Sequence, residues 1–335
     1  MKKQNHIFTF ICIVLLLSMA LSACGQKSST AAPTSVLKTP QATAVAELEG
    51  NITISGAFAL YPMMQRWTEE YTKLHPKVLF DLSAGGAGKG MTDALAGAVD
   101  IGMVSRAITP EEEGKGAYWV AVAIDAVFAT MNPKNPVLQD ILAKGVSKET
   151  FIGIFITSEI KTWGQVVGKP EITDAIHVYT RSDSCGAADA WAKFLGNKKQ
   201  EDLNGIGVGS DPALLDAVIK DPLGIGFNNL NYAFDPTTQK PVVGSLPVPI
   251  DANGNGQADP DEVFATKAEA DAAIATGKYP APPARAENLV THGKSTGLVQ
   301  TFILWILTDG QQFLGEAGYV QLPKDKLDAS LAKIR

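Results

Sequence analysis

Three short turns rich in glycine and small residues, at 56–59, 84–90 and 182–187, have the composition of sites that bind negative charge. Each separates an extended apolar segment from one with helical spacing. Each would therefore present unpaired backbone N–H groups at a helix start, with the helix dipole behind them, to an anion or a polarised oxygen. Arg181 and Asp183 stand beside the third turn. A guanidinium there could grip a tetrahedral oxyanion with two parallel donors. Asp183 would hold Arg181, or accept a proton from a hydrogenated ligand oxygen, rather than serve as a catalytic base. Cys185, also at a helix start, could be acidified into a nucleophile. That leaves open a Cys185-dependent enzyme, with His177 as its unplaced base.

A second pattern belongs to metal chemistry. In the run 251–262 (DANGNGQADPDE), Asp251, Asn253 and Asn255 take positions 1, 3 and 5 of a calcium-binding loop. Gly256 takes the turn position, Gln257 the carbonyl position, Asp259 the ninth and Glu262 the twelfth. Calcium needs six to eight hard oxygens, and this set supplies them. The preceding residues 243–250, rich in Pro and Val, read as extended. The expectation is a lone structural Ca2+ loop inserted into a larger fold, not a paired regulatory EF-hand. His75, His177 and His292 lack the i, i+4 spacing of a helical zinc site. Trp163, Trp191 and Trp305 fall on apolar helix faces and read as core.

Positioning these residues requires an alternating framework. The spacing predicts a strand at 51–55 and a helix at 60–74 that buries Leu60, Met63, Met64, Trp67 and Tyr71. That helix must stop at His75, because a residue before proline is pushed out of the helical region. A strand at 77–82, a helix to about 98 and a strand at 100–104 follow. Beyond a long apolar stretch at 118–131 come helices at 148–156, 186–195 and 212–219 and strands at 176–180 and 224–227. A helix or helix pair at 296–316 closes the pattern. Strands separated by such helices pair in parallel through right-handed crossovers, so the fold class is α/β. In open sheets of this class ligands bind beyond the carboxyl ends of the strands, where the three turns would lie. No 20–50-residue period recurs, which excludes a solenoid.

Composition narrows the function. The chain has 335 residues, 45% hydrophobic, with 35 acidic against 29 basic side chains and a net charge of -6. Such a balance argues against any nucleic-acid partner. Three cysteines, at 12, 24 and 185, cannot make a disulfide framework. Lys2 and Lys3 precede an apolar run that ends in Leu21-Ser22-Ala23-Cys24-Gly25. This has the layout of a secretory signal and resembles the bacterial lipoprotein box, in which the cysteine sulfur is acylated. Residues 1–24 are thus expected to be a lipoprotein signal peptide ending at Cys24. Residues 25–48, rich in Ser, Thr, Ala, Pro and Gln, are expected to be a flexible tether. The body would be exported and held by lipid on the outer face of a bacterial membrane.

A resemblance gathers these features. It runs through Ile52-Thr53-Ile54-Ser55-Gly56 with Tyr61-Pro62 and Trp67, then Gly85-Gly86-Ala87-Gly88, Asp100-Ile101-Gly102 and Ser105-Arg106. It resumes at Ile154-Phe155, Glu159-Ile160, Trp163, Arg181-Ser182-Asp183-Ser184-Cys185-Gly186 and Gly224-Ile225-Gly226-Phe227. Over nearly all of residues 50–320 the sequence resembles the phosphate-binding proteins of bacterial ABC transporters, in the periplasmic binding protein superfamily. The resemblance implies a type II two-lobed fold, each lobe a mainly parallel sheet flanked by helices. Lobe 1 would comprise 49–128 and 233–335, and lobe 2 residues 129–232. The crossings would lie near 123–131 and 227–235. It further implies a monomer that performs no chemistry, closes like a hinge on a small anion, with phosphate favoured, and is recognised by a membrane permease. A sensor or scavenger of a different ligand remains the alternative. The implied ligand positions are Ala57, Phe58, Ala87, Gly88, Ser105, Arg181, Asp183, Cys185, Gly186 and Ala187. At Phe58, Ala87, Cys185 and Ala187 the family carries hydroxyls, and Ser105 stands at the position of a family carboxylate. The usual side-chain donors are therefore missing, and backbone amides would have to compensate.

Overall fold

The computed structural model describes residues 47–335, so the expected leader, Cys24 and nearly all of the expected tether lie outside the described residues. Eleven strands form in chain order: β1 (Glu49–Gly56), β2 (Lys77–Ala84), β3 (Ile101–Val104), β4 (Ala117–Met131), β5 (Val146–Ser147), β6 (His177–Arg181), β7 (Ile206–Val208), β8 (Gly224–Asn229), β9 (Leu246–Pro247), β10 (Ile250–Asp251) and β11 (Ala284–His292). The main sheet runs β2-β1-β3-β11-β4-β8-β6-β7. Its two ends, β2-β1-β3 and β8-β6-β7, are parallel triplets. Between them β11 and β4 run antiparallel to their neighbours. The sheet is thus mixed, and helices flank it. The parallel ends come from the strand–helix alternation, and the antiparallel centre from the two long strands that join the halves.

Two hydrophobic cores divide the body into lobes. One gathers Ile52, Ile54, Trp67, Met103, Val120, Leu289 and Phe302; the other gathers Phe128, Phe155, Trp163, Trp191, Phe227 and Phe234. β4 belongs to both. Residues 117–126 pair with β11, and residues 127–131 pair with β8. The segment 233–283, expected with the first lobe, contributes Ala233, Phe234, Val248, Ile250, Ala270 and Tyr279 to the second core. The first crossing falls within the stretch expected, in β4. The return crossing is β11, because residues 227–235 bury Phe227, Leu230 and Phe234 and stay in the second lobe.

Local chemistry explains the elements nearest the site. The helix Tyr61–Leu74 opens with proline in its first turn, buries Met63, Met64, Trp67 and Tyr71, and ends at His75 before Pro76. Trp67 donates its ring N–H to the Gly310 carbonyl at 2.8 Å, which ties this helix to the C-terminal region. Gly56 has φ +135°, and a Cβ there would lie 2.3 Å from the Met103 carbonyl oxygen. Only glycine lets the first turn leave β1 so close to β3.

Candidate functional site

The three turns converge. Gly85 and Gly86 donate to the Gly56 carbonyl at 2.9 and 3.0 Å, joining the first two turns. Across the lobes, the Gly88 N–H donates to the Ser184 carbonyl at 3.0 Å. A Cβ on Gly86 (φ +90°) would lie 2.8 Å from the Asp183 Oδ2 atom. One on Gly186 would lie 2.1 Å from the Ser105 carbonyl oxygen. Glycine at these two positions therefore permits the lobes to touch. Helices start at the second and third turns, at Ala87–Leu95 and Gly186–Phe194. The N–H groups of Phe58, Ala87, Gly186 and Ala187 have no acceptor among the described residues. Ala57 is buried and donates to the Met103 carbonyl at 2.9 Å.

Arg181 lies at the centre and is not the open fork expected. Its side chain is fully buried, with Nε 2.7 Å and Nη2 2.6 Å from the two oxygens of Asp183. Nη1 donates to Asp211, whose side chain is also buried. Three of the five guanidinium donors are thus engaged and two remain. Burial works against the charge, but Asp211 and Asp183 outweigh it and hold the Arg181 pKa above its ordinary value. The Phe58 ring covers the guanidinium at 5.5 Å, within cation–π range. Tyr232 donates to the Phe58 carbonyl at 3.3 Å and so fixes the first turn to the second lobe.

Cys185 lacks the exposed, charge-stabilised setting expected of a nucleophile. It caps the helix Gly186–Phe194, its sulfur accepting the Ala188 N–H at 3.3 Å, and burial pushes the thiol up to about 12. A helix start lowers a thiol's pKa, whereas burial in apolar surroundings raises it. His177, the expected base, lies 2.7 Å from Asp221 instead.

Sequence reasoning missed an inner layer of charge. Arg285 on β11 donates from Nη1 to Asp125 Oδ2 at 3.1 Å, from Nε to the Ser105 carbonyl at 3.2 Å, and from Nη2 to Asn229 Oδ1. Asn229 donates its side-chain amide to Asp211 Oδ1 at 2.8 Å. Glu287 lies 3.3 Å from Arg285 Nη2, yet neither of its oxygens finds a hydrogen-bond partner among the described residues. Asp125 carried a readable signal: it is the single charge in the 15-residue run of β4. An isolated carboxylate in such a run requires a partner.

The calcium-type loop is ordered by its own polar groups. Asp251 Oδ1 accepts the N–H of Gly254 at 2.8 Å and of Asn255 at 3.1 Å, and Oδ2 accepts that of Gly256 at 3.0 Å. Glu262 folds back to accept the N–H groups of Ala252 (2.8 Å) and Asp259 (3.1 Å). Asn253 and Asn255 both turn their amides onto Asp259 Oδ2. Asn255 Oδ1 accepts the Gln257 N–H at 2.8 Å. The entry is extended, as expected: β10 pairs with β5, and Ala258 donates to the Ala143 carbonyl, so the loop braces the second lobe.

Among the described residues no helix is long and apolar enough to cross a membrane. The family model for the PBP superfamily domain matches residues 38–309. The phosphate-binding protein PstS of Bacillus subtilis (strain 168) is 26% identical over 330 residues, covering 97% of each chain. A provisionally named phosphate ABC transporter substrate-binding protein from Clostridium perfringens, solved with phosphate bound, superimposes with TM-score 0.67. It is 22% identical and aligns over 82% of this chain and 100% of its own. An ABC-type phosphate transport receptor from Vibrio cholerae gives TM-score 0.58 at 21% identity, over 81% of this chain and 100% of its own. With two lobes joined by crossing strands and glycine turns meeting between them, this chain belongs to the PBP superfamily and is PstS-like.

Proposed function

We propose that the protein is an extracytoplasmic solute-binding protein that closes its lobes on a small oxyanion, phosphate foremost, and presents the closed form to an ABC permease. The observation that carries this reading is the convergence of two helix starts, from opposite lobes, around Arg181. The similarity to phosphate-binding proteins supports the choice of ligand. The family's hydroxyl positions hold Phe58, Ala87, Cys185 and Ala187, so the oxyanion is held by backbone N–H groups and the two remaining donors of Arg181. A ligand that touches both lobes favours the closed arrangement by its differential affinity, which is the signal a permease reads. Acylation at Cys24 would keep the monomer at the outer face of the membrane. Calorimetric titration of the full chain with phosphate and sulfate tests the reading. Phosphate is expected to bind, and Arg181→Ala to weaken it by about 1.5–3 kcal/mol, the range of a charge-assisted hydrogen bond. Phosphate heat that survives Arg181→Ala unchanged places the anion elsewhere.

The loop 251–262 is proposed to hold calcium as a structural brace. Among the described residues Asp251, Asp259 and Glu262 form no ion pair and do not gather as a three-carboxylate group; their oxygens are turned to the loop's own N–H groups and amides, contacts that calcium would have to replace. Asp251, Asn253, Asn255, the Gln257 carbonyl, Asp259 and Glu262 would supply the oxygens. Chelation is expected to lower the melting temperature by several degrees, as loss of a ligand bound only to the folded state does. Glu262→Gln should abolish that response, and a melting curve indifferent to chelator would remove the metal from the account.

A further inference from the structure

We propose that Arg285 is a positioning residue that couples the lobe-crossing strands to Arg181 through Asn229 and Asp211. This rests on the oxyanion reading of the Arg181 site and names the device that sets it. Arg285 touches three parts of the molecule at once. It donates to the Ser105 carbonyl in the first lobe, to Asp125 on β4, and to Asn229 at the end of β8 in the second lobe. Asn229 passes the contact on: its amide donates to Asp211 Oδ1 at 2.8 Å, and Asp211 Oδ2 accepts from Arg181 Nη1.

Asp211 is itself held from outside the relay. Asn228 donates to its carbonyl at 3.1 Å, and Thr130 on β4 donates to Asn228 at 2.9 Å. The Asp211 backbone is therefore anchored to β8 and, through Thr130, to β4. The second end of the relay is just as constrained. The Ser105 carbonyl that receives Arg285 is the atom against which Gly186 packs, at the start of the helix Gly186–Phe194. A lobe movement that shifts Ser105 away from Gly186 must move the acceptor of Arg285 Nε. Through Asn229 and Asp211 this alters how Arg181 is held. The guanidinium fork of Arg285 is what permits three acceptors in three directions; an ammonium at that position is a point charge on a shorter reach.

The test has two arms, so that failure of the inference and failure of the oxyanion reading can be told apart. The first needs no ligand: the Nη1–H resonances of Arg181, the protons that face Asp211, are assigned with Arg181→Lys and followed by NMR for chemical shift and hydrogen exchange in the full chain. In Arg285→Lys and Asn229→Ser the signal is expected to shift and to exchange roughly 10- to 100-fold faster, as loss of a charge-assisted bond implies. Backbone amides of both cores should keep their protection, which a merely structural lesion would not allow. The second arm is phosphate titration, in which Arg285→Lys and Asn229→Ser should weaken binding by a similar factor, and the double variant by no more than the stronger single one. An Arg181 resonance in both variants identical to that of the parent overturns the inference whatever the titration shows. If the parent takes up no phosphate while the resonance responds as expected, the relay stands and the oxyanion reading falls.

Discussion

Glu287 illustrates how far a single buried side chain can be read. It is wholly buried, neither oxygen is hydrogen-bonded among the described residues, and burial, only partly opposed by Arg285, lifts its pKa to about 8. The folded protein therefore keeps this proton over a range in which the unfolded chain, with an ordinary value of 4.5, has lost it. Stability must fall as pH rises from 4.5 through about 8, with a slope approaching about 1.4 kcal/mol per pH unit. Asp271, lifted to about 6 by burial beside Lys267, adds a slope of the same sign at lower pH. Denaturant titrations between pH 6 and 8 read this slope, to which Asp125, also raised by burial and facing the same Arg285, adds with the same sign, and Glu287→Gln should reduce it there. A parent curve already flat in that window would refute the assignment. In the sequence Arg181, Asp183 and the surrounding turns were legible because arginine after a strand and before a glycine-rich helix start is a local pattern. Arg285, Glu287 and Asn229 were not, since their role exists only once distant strands are side by side.

At the scale of elements, the contact between the third turn and Ser105 is the most sensitive to a single atom. Because a Cβ at Gly186 would sit 2.1 Å from a backbone oxygen of the facing lobe, Gly186→Val cannot keep this closed contact. The expected outcome is a larger radius of gyration in small-angle scattering and lost phosphate binding, with both cores still protected from hydrogen exchange. An unchanged radius would mean that the lobes meet elsewhere. Most helices and strands match the positions that periodicity predicts, the helix Tyr61–Leu74 to within a residue. The strand β11 and the helix Lys324–Ile334 escaped notice. β11 mixes Arg, Glu, Asn and Thr into its run, with Arg285 reaching Asp125 on β4 and Asn229 in the second lobe and Asn288 reaching the Val104 carbonyl on β3, so no alternation marks it. In the helix Lys324–Ile334 the buried residues are only Ser330 and Ile334, too few to draw an apolar stripe.

For the whole molecule, strand–helix alternation gave the α/β class, and the two-lobed architecture was what the resemblance implied. The division of the chain between lobes followed from neither. The insertion carrying 251–262 lies between two segments that could join either core, and the packing of Phe234 and Tyr279 against Phe128, with Ile250 in the same core, places it with the second lobe. The calcium-type loop therefore braces the lobe that also carries Arg181 and Asp211.

The manner in which β4 serves both cores has a mechanical consequence. Neither crossing is a slack tether: β4 is laddered to β11 on one side of the boundary and to β8 on the other. On the proposed closure, opening would have to wind or unwind a hydrogen-bonded ribbon, like a leaf spring under torsion, and the resistance to it would be built into the backbone.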